Sequence, residues 1–341
     1  MKRIDNLYDK IISIENLRQA DEKARRGKLK TYGVRVHDRN REANIEALHE
    51  ALLTKTYKTS PYEVFTIFEP KERQIYRLPY YPDRIVHHAI MNVLEPIWVS
   101  TFTADTFSCI KRRGIHGCMK RVDNALKDKE GTRYCLKLDI KKFYPNINHE
   151  RLKEVVRRKI KDERLLWLLD EIIDSADGIP IGNYLSQYLA NLYLTYFDHW
   201  VKEVLRVKYY FRYADDIVFL HGDKEYLHDL FRKVERYLRE ELLLTVKSKH
   251  QVFPIAKNRQ DRSGRGLDYV GFVFYHDQKC IRKCIKKNFC RAVAKLNRRS
   301  PLPDLKDYKQ EVASWLGWAK HSNSKHLLKT IIKPEYYGSI L

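Results

Sequence analysis

The spacing of apolar and polar residues along the chain predicts where its strands lie. Two aromatic and β-branched runs, Tyr209 to Tyr213 and Ile217 to Leu220, predict adjacent strands. Only the segment Ala214 to Asp216 separates them, so we expect a tight turn to join the two. A clean alternation over Tyr134 to Ile140 predicts another strand, and short strand patterns fill Tyr62 to Pro79. The central predicted element is therefore a hairpin with an acidic turn.

Apolar residues at helical spacing predict helices through much of the remaining chain. The predicted helices span about Asn6 to Arg26, Arg41 to Leu53, Asp83 to Val93, Leu152 to Ile173, Tyr226 to Leu243, Lys283 to Arg298 and Tyr308 to Ala319. Asp83 is placed to cap the third of these helices and Pro96 to end it. Basic and glycine-bearing loops from Thr106 to Val122 and from Gly178 to Tyr196 each lead into a helix, and Leu267 to Tyr275 predicts a strand.

The composition favours a polyanionic partner. Lys and Arg together number 66 against 44 Asp and Glu, which gives a formal net charge of +22 over 341 residues. Such an excess is typical of proteins that bind nucleic acid or an anionic membrane surface. No apolar run approaches the roughly 20 residues needed to span a bilayer, and the first residues lack a signal-peptide pattern. We therefore expect a cytoplasmic protein with reduced cysteines and no membrane association.

Three aspartates occupy positions where they add nothing to the predicted packing. Asp215 and Asp216 are adjacent in the turn and repel each other, whereas a purely structural hairpin turn favours Asn-Gly or Asp-Gly. A divalent cation would relieve this repulsion, and Mg²⁺ takes one or two carboxylates plus phosphates. Asp139, at a strand end, would complete a two-metal site for an in-line displacement. The alternatives are a solvated acidic turn and, for Asp139, a strand-ending cap.

The order of several sequence blocks resembles that of a reverse transcriptase. The blocks are LDIKKFY with Asp139, the loop at Gly182, YADD at Tyr213 to Asp216, a Lys-rich turn and LDYVGF. Tyr-x-Asp-Asp between apolar strands is that family's signature, and the resemblance covers about Asp5 to Phe274. It implies an RNA-directed DNA polymerase with an α+β right-hand fold, in which an antiparallel palm sheet carries the YADD hairpin and helices cover one face of that sheet.

The resemblance also implies a division into domains and a set of substrates. Residues 1–132 would form the N-terminal helices and fingers, and residues 133–276 the palm, with some finger elements interleaved. Residues 277–341 would form a small helical thumb. The implied partners are a template RNA, the RNA–DNA hybrid and dNTPs, and the implied cofactors are two Mg²⁺ ions, all in the cytoplasm of a bacterial host cell.

One loop narrows the resemblance to a subgroup. Most reverse transcriptases carry Gln-Gly where this chain has Ile181-Gly182, and Ser186-Gln187 closes the same motif. This pattern, together with the N-terminal segment NLYDKIISIENLRQADEKARRGK, is similar to the reverse transcriptases of diversity-generating retroelements. Those enzymes copy a template RNA with frequent errors at adenines and work with a small basic accessory protein. Ile181 and Gly182 would pack against the incoming nucleotide.

The resemblance assigns catalytic roles to the acidic residues and to one lysine. The implied metal ligands are the carboxylates of Asp139, Asp215 and Asp216 and the Ile140 carbonyl. Asp139 and Asp215 would be the main ligands and Asp216 a supporting one. Either Lys247 or Lys249 matches the lysine that can protonate the pyrophosphate, and the irregular local spacing leaves both open.

Other positions match residues that hold the nucleotide. Tyr144 matches the aromatic that blocks a ribose 2′-OH, with Phe143 as the alternative gate or as pure core. Lys71 and Arg73 match the finger residues that hold the triphosphate, where bidentate Arg geometry suits phosphate oxygens. Their alternative is a pair of solvated charges on a hairpin. The basic run Lys111, Arg112 and Arg113 is a candidate for nucleic-acid binding.

Two other functional hypotheses remain at the level of sequence. One is a different bacterial reverse transcriptase, from a group II intron, a retron or a defence system. The other is a non-catalytic RNA-binding scaffold, which three clustered acids argue against. A zinc site at His276, Cys280, Cys284 and Cys290 is disfavoured because their spacing is not a standard zinc pattern.

Overall fold

The N-terminal helices form the first layer of the fold. The computed structural model describes residues 3–68 and 72–340. The first helices are α1 (Tyr8–Ile12), α2 (Ile14–Ala24), α3 (Tyr32–Asp38) and α4 (Arg41–Leu53). The single helix expected over Asn6 to Arg26 is wrong, because Ser13 is extended with ψ of 139° and caps α2 by accepting from Asn16 N. The helix expected over Arg41 to Leu53 is confirmed.

A β-hairpin and a long helix follow. Strands β1 (Glu63–Phe68) and β2 (Glu72–Arg77) pair antiparallel, as the sequence predicts, and α5 (Ile85–Val99) begins after a π-helical turn at Tyr80–Arg84. Asp83 does not cap this helix. Its buried carboxylate instead accepts hydrogen bonds from Tyr57 Oη and Ser60 N. Pro96 lies inside α5 and does not end it, since the helix continues to Val99.

The remaining elements form the sheets and the helices that pack on them. In chain order they are α6 (Gly114–Ala125), β3 (Tyr134–Asp139), α7 (His149–Arg157), α8 (Glu163–Ile173), α9 (Tyr184–Tyr193), α10 (Thr195–His199), β4 (Tyr209–Tyr213), β5 (Asp216–His221), α11 (Lys224–Glu240), β6 (Gln251–Pro254), β7 (Leu267–Tyr269), β8 (Phe272–Phe274), β9 (Lys279–Ile281), α12 (Lys283–Asn297), α13 (Leu305–Lys320), α14 (Lys325–Ile331) and α15 (Pro334–Ile340). Among the residues that the structure describes, no helix is long and apolar enough to cross a bilayer.

The helix expected over Leu152 to Ile173 is broken into α7 and α8. Asp162 begins α8, where its carboxylate accepts from Leu165 N. The same carboxylate accepts from Leu7 N at 2.7 Å and Tyr8 N at 2.9 Å, so it also fixes the start of α1. A contact between segments about 155 residues apart therefore accompanies the break, which no local apolar periodicity could reveal.

A four-stranded antiparallel sheet lies at the centre, with the strand order β4-β5-β3-β6. Side chains of β5 alternate between its two faces. Ile217 and Phe219 pack with the apolar stripe of α11 in the main core. Val218 and Leu220 pack with α6 and with β7 and β8 in a second core. Both faces of the central sheet are therefore covered. The sequence-based expectation that helices cover one face did not include the second face, where α6, β7 and β8 pack.

The run Leu267 to Tyr275, predicted as one strand, is a hairpin inside the three-stranded sheet β7-β8-β9. The chain reverses at Val270 and Gly271, whose φ angles are 42° and 86°. A Cβ on Gly271 would lie 2.3 Å from the Trp318 ring, so this close packing requires glycine. Beyond β9, α12 to α15 share a separate core. The helices expected over Lys283 to Arg298 and Tyr308 to Ala319 are confirmed as α12 and α13.

Candidate active site

The acidic hairpin turn brings the three aspartates together. Tyr213 and Asp216 are paired across β4 and β5, so Ala214 and Asp215 form the turn, with Ala214 at φ of 55°. Across β3 and β5, Asp139 is the direct partner of Asp216. The Ile140 N–H donates to the Asp215 carbonyl at 3.3 Å. Sheet register therefore gathers three acidic side chains at one end of the sheet.

A buried ion pair supports the turn from beneath. Arg212 is fully buried, and its guanidinium binds Asp198 through Nε at 2.7 Å and through Nη2 at 2.5 Å. Arg212 Nη1 also donates to the Asn191 Oδ1 and to the Ala214 carbonyl, each at 3.1 Å. Sequence analysis missed this pair. The available signal was an arginine in the middle of the apolar strand YYFRY, where an unpaired charge would be costly.

Asp216 lies in an environment that disfavours its charge. Burial raises the pKa of its carboxyl to about 6, with Asp139 and Asp215 adding to the shift and Lys137 opposing it. The Lys137 Nζ is 3.5 Å from Asp216 Oδ2, whereas Oδ1 is buried and has no hydrogen-bond partner. Tyr269 donates to the backbone carbonyl of Asp216 at 3.2 Å. A buried carboxylate oxygen without a hydrogen-bond partner fits a position where a cation binds.

Lys247 contacts the second acid. Its Nζ forms an ion pair with Asp139 Oδ1, and its backbone N–H donates to the Asp139 carbonyl at 2.9 Å. Lys249 instead lines a neighbouring groove of about 340 Å³ together with Lys137 and Asp139. Of the two lysines left open by the sequence, Lys247 is the one paired with a carboxylate of the site.

The acidic side chains do not by themselves form a complete set of ligands for a metal ion. Within residues 3–68 and 72–340, no group of three or more His, Cys, Asp and Glu side chains is arranged to hold a metal ion, the set at His276, Cys280, Cys284 and Cys290 included. Mg²⁺ does not need such a set, since it is usually bound by one or two carboxylates plus substrate phosphates. Asp139 and Asp216, facing each other with one orphan oxygen, meet that smaller requirement.

The two aromatic candidates for the sugar gate occupy different environments. Phe143 is 3% exposed and belongs to the main core. Tyr144 begins a short 3₁₀ turn and only packs against that core. Burial raises the pKa of the Tyr144 hydroxyl, and the nearby charge of Asp215 adds to the shift. Tyr144 is therefore the aromatic that lies within the field of the acidic turn.

The loop at Ile181 docks on the β1–β2 hairpin. The Tyr76 N–H donates to the Ile181 carbonyl at 2.9 Å. Gly182 has φ of 120°, and a Cβ there would lie 3.0 Å from the Tyr76 carbonyl oxygen. Arg73 is exposed on the same hairpin, in β2, while Lys71 lies outside the described residues. The structure thus links the predicted nucleotide loop to the hairpin that carries Arg73.

The three basic candidates of the loop before α6 have different partners. Lys111 forms an ion pair with Glu95 at 2.8 Å, although its side chain is largely exposed. Arg112 is exposed at the surface with φ of 66°. Arg113 donates through Nη1 to the Thr103 and Thr106 carbonyls at 2.6 and 3.2 Å. The Arg113 guanidinium therefore holds its own loop, which leaves Lys111 and Arg112 as the surface cations of this run.

Comparison with known proteins identifies the family of the chain. Residues 69–317 match the family described as "Reverse transcriptase (RNA-dependent DNA polymerase)", and the chain belongs to that family. The family match and the antiparallel sheet that carries the YADD hairpin confirm the expected α+β right-hand fold. Reverse transcriptases generally use divalent metal ions.

Three curated relatives match parts of the chain. The chain is 28% identical over 175 residues to Protein YkfC of Escherichia coli, covering 47% of this chain and 45% of that protein. It is 25% identical over 232 residues to the group II intron-encoded protein LtrA of Lactococcus lactis, covering 62% and 38% respectively. Nuclear intron maturase 4 of Arabidopsis thaliana is 24% identical over 178 residues, or 49% of this chain and 22% of that protein. The chain thus spans less than half the length of these relatives.

Solved structures of telomerases are also similar. Apo telomerase from Candida tropicalis aligns with a TM-score of 0.49 at 12% identity, covering 80% of this chain and 59% of that chain. Telomerase from Candida albicans in complex with a TWJ fragment of telomeric RNA aligns with a TM-score of 0.49 at 11% identity, covering 80% and 61% respectively.

Proposed function

We infer that the chain is an RNA-directed DNA polymerase. The observation that carries this inference is the cross-strand pairing of Asp139 with Asp216 beside Asp215, in a chain of the reverse transcriptase family. The pairing holds carboxylates on two rigid strands, where catalytic groups are positioned more accurately than on loops. The proposed reaction adds a dNTP to a primer paired with a template RNA, with release of pyrophosphate.

Two Mg²⁺ ions are the proposed cofactors. Asp139, Asp215, Asp216 and the Ile140 carbonyl would hold them. When bound, such ions activate the attacking 3′-oxygen and stabilise the charge on the leaving triphosphate. The residues fit this role because Asp216 has a buried, unpartnered oxygen and Asp139 faces it directly. The Asp139 carboxylate would exchange its Lys247 partner for the ion, which frees the lysine as the proposed general acid for the pyrophosphate.

Conservative removal of one negative charge tests the polymerase proposal. Asp215→Asn and Asp139→Asn keep the side-chain shape but weaken cation binding, so primer extension on an RNA template should fall by orders of magnitude. Glu46→Gln is a matched control, because Glu46 is an exposed acid in α4. Binding to RNA should survive in the Asn variants. Extension at a near-normal rate by either of them would disprove the assignment of the site.

A strong dependence of RNA binding on salt is expected as well. The net charge of +22 implies that many phosphates are neutralised on binding, and this releases counterions. The apparent affinity for a single-stranded RNA should therefore fall steeply between 50 and about 200 mM salt. A flat response would assign the positive charge to some other partner.

The proposed subclass is the reverse transcriptase of a diversity-generating retroelement. Its support is Ile181-Gly182 in the loop on the β1–β2 hairpin, where most of the family carry Gln-Gly. This proposal adds adenine-directed errors in the cDNA and a small basic accessory protein that assembles with the chain. The second candidate is a group II intron type of reverse transcriptase, which the similarity to LtrA favours.

Sequencing the RNA that co-purifies with the chain distinguishes the two candidates. A diversity-generating enzyme should retain an RNA that matches a nearby protein-coding segment except at adenines. An intron-type enzyme should retain an intron RNA instead. Enrichment of an intron RNA would exclude the first candidate and leave the polymerase proposal intact.

A further inference from the structure

A basic cavity lies between three helices, outside the carboxylate site. It has a volume of about 310 Å³ and is formed by the end of α2, the start of α5 and the start of α9; we call it the α2–α5–α9 cavity. Four cationic side chains line it: Lys23, Arg26, Lys28 and Arg84. None of the described residues that line it is Asp or Glu. This local excess of positive charge therefore has no carboxylate within the cavity to balance it.

Two buried polar groups in the cavity wall lack a partner. His87 is 2% exposed and Asn183 is 5% exposed, and both line the cavity. His87 Nε2 and Asn183 Nδ2 form no hydrogen bond with any described residue. Asn183 directly precedes α9, and its side chain makes no capping bond there. Buried polar atoms without a partner are uncommon in folded proteins. A hydrogen-bond acceptor in the cavity would satisfy Asn183 Nδ2, and also His87 Nε2 in the tautomer that carries the proton on that atom.

The charges around the cavity repel one another in the absence of a ligand. Burial lowers the pKa of Lys28, and the neighbouring Arg84 lowers it further. Burial also lowers the pKa of His88 to about 4, with Lys28 and Lys23 contributing. His88 is therefore neutral at physiological pH, and its ring stacks on Tyr184 at 4.7 Å. The four cationic side chains of the cavity therefore suit an anionic ligand.

We propose that the α2–α5–α9 cavity binds a phosphodiester group of an RNA strand held by the enzyme. This proposal rests on the proposed polymerase function and names a contact that the carboxylate site does not provide. A nucleoside triphosphate fits less well, because it arrives as a Mg²⁺ complex and the cavity offers no carboxylate for the ion. A polynucleotide also suits the exposed Lys30, which follows Arg26 and Lys28 in the segment after α2.

The double variant Arg26→Gln/Lys28→Gln tests the site without disturbing the core. Both residues follow α2 and are absent from its buried face, and neither side chain forms an ion pair with another described residue. Lys224→Gln/Arg236→Gln is the matched control, because it removes the same two residue types from the solvent side of α11. Both doubles are made in the Asp215→Asn background, so that RNA binding is measured without polymerisation and does not depend on activity.

The assay uses a single-stranded RNA in which one phosphodiester at a time is replaced by a neutral methylphosphonate. We expect methylphosphonate at one position of the RNA to weaken binding to the parent protein. The same replacement should not weaken binding to Arg26→Gln/Lys28→Gln any further. The affinity of that variant should also depend less on salt. Its slope of log affinity against log salt should be less negative by about 0.7, the contribution of one phosphate contact on a single strand. The control double should keep the parent pattern at every position.

Two results would overturn the proposal. Identical methylphosphonate patterns in the parent and in Arg26→Gln/Lys28→Gln would show that no phosphodiester of the RNA enters the cavity. A raised KM for dNTP in the same double, made with Asp215 intact and with unchanged RNA affinity, would assign the cavity to the phosphates of the free nucleotide. If the protein with all of these residues intact failed to extend a primer, while the methylphosphonate effect was still lost in Arg26→Gln/Lys28→Gln, only the polymerase function would be contradicted.

Discussion

Arg212 donates a hydrogen bond from Nη1 to the carbonyl oxygen of Ala214, 3.1 Å away, in the turn that carries Asp215. Ala214 has φ of 55°, a conformation that costs a residue with a Cβ about 1–2 kcal/mol. The arginine is held in turn by two hydrogen bonds to Asp198, which is also fully buried. The shape of the acidic turn therefore depends on a charge pair that never reaches solvent.

Replacing only one member of the Arg212–Asp198 pair should destabilise the protein more than replacing both. Arg212→Met leaves the Asp198 carboxylate buried and uncompensated, and we expect the free energy of unfolding to fall by about 3–5 kcal/mol. The double variant Arg212→Met/Asp198→Leu should lose less, because no lone charge remains. Denaturant titrations of the three proteins measure this. Equal losses in the single and double variants would show that the pair is not energetically coupled.

Asp216 should make the stability of the metal-free protein depend on pH. Its pKa is about 6 in the fold against 3.8 for the free residue, so the ionised form is disfavoured by folding. The penalty is absent below pH 3.8, grows between 3.8 and about 6, and is complete above that. Asp216→Asn should therefore raise the melting temperature at pH 7.5 in EDTA, and the gain should shrink at pH 4.5. Glu46→Gln is the control. A lower melting temperature for Asp216→Asn at pH 7.5 would contradict the assigned shift.

Substitutions of Tyr144 and Phe143 should have different effects, the first on sugar selection and the second on the stability of the fold. Tyr144→Ala removes a ring beside the acidic turn and should admit ribonucleotides, which a comparison of dNTP and rNTP incorporation detects. Phe143 is 3% exposed and lies in the main core, so Phe143→Ala should lower the free energy of unfolding by about 3–5 kcal/mol. Unchanged discrimination in Tyr144→Ala, with the protein folded and active, would place the gate elsewhere.

Ile181 is the residue on which the proposed infidelity depends. A Gln at this position could form a hydrogen bond whose strength falls steeply with distance and angle, whereas Ile offers only dispersion contacts. An apolar contact supplies only about 1–3 kcal/mol of discrimination. Ile181→Gln should therefore lower misincorporation, most visibly opposite template adenines.

The measurement for Ile181 is sequencing of cDNA made by both enzymes on one adenine-rich template. The backbone of the loop should be preserved, since it is the Ile181 carbonyl that accepts from Tyr76 N. Equal adenine error rates, with both enzymes active, would remove the side chain from the explanation.

The YADD hairpin and Asp139 were predictable because their signals are local. Alternation over Tyr134 to Ile140 and over the two runs around the turn specifies strands whatever surrounds them. The helix breaks at Ser13 and before Asp162 were not predictable by periodicity. Apolar spacing continues across both positions, and a carboxylate contact with the distant α1 accompanies the second break.

The candidate site divides in the same way. The sequence named the three aspartates and left two lysines and two aromatics as alternatives. The fold paired Lys247 with Asp139 and put Phe143, but not Tyr144, into the core. It also revealed Asp198, whose role depends on a contact with Arg212, 14 residues away in the chain.

By itself, the sequence determined the family, the acidic turn and the excess of positive charge, because each of these lies in residue identity or in short-range order. Tertiary structure alone decided which charges are buried, which are paired and which remain without a partner. Those properties depend on how far each side chain lies from solvent and from groups on other elements. The basic cavity between α2, α5 and α9 belongs to this second kind, since its cations come from separate segments that only the fold brings together.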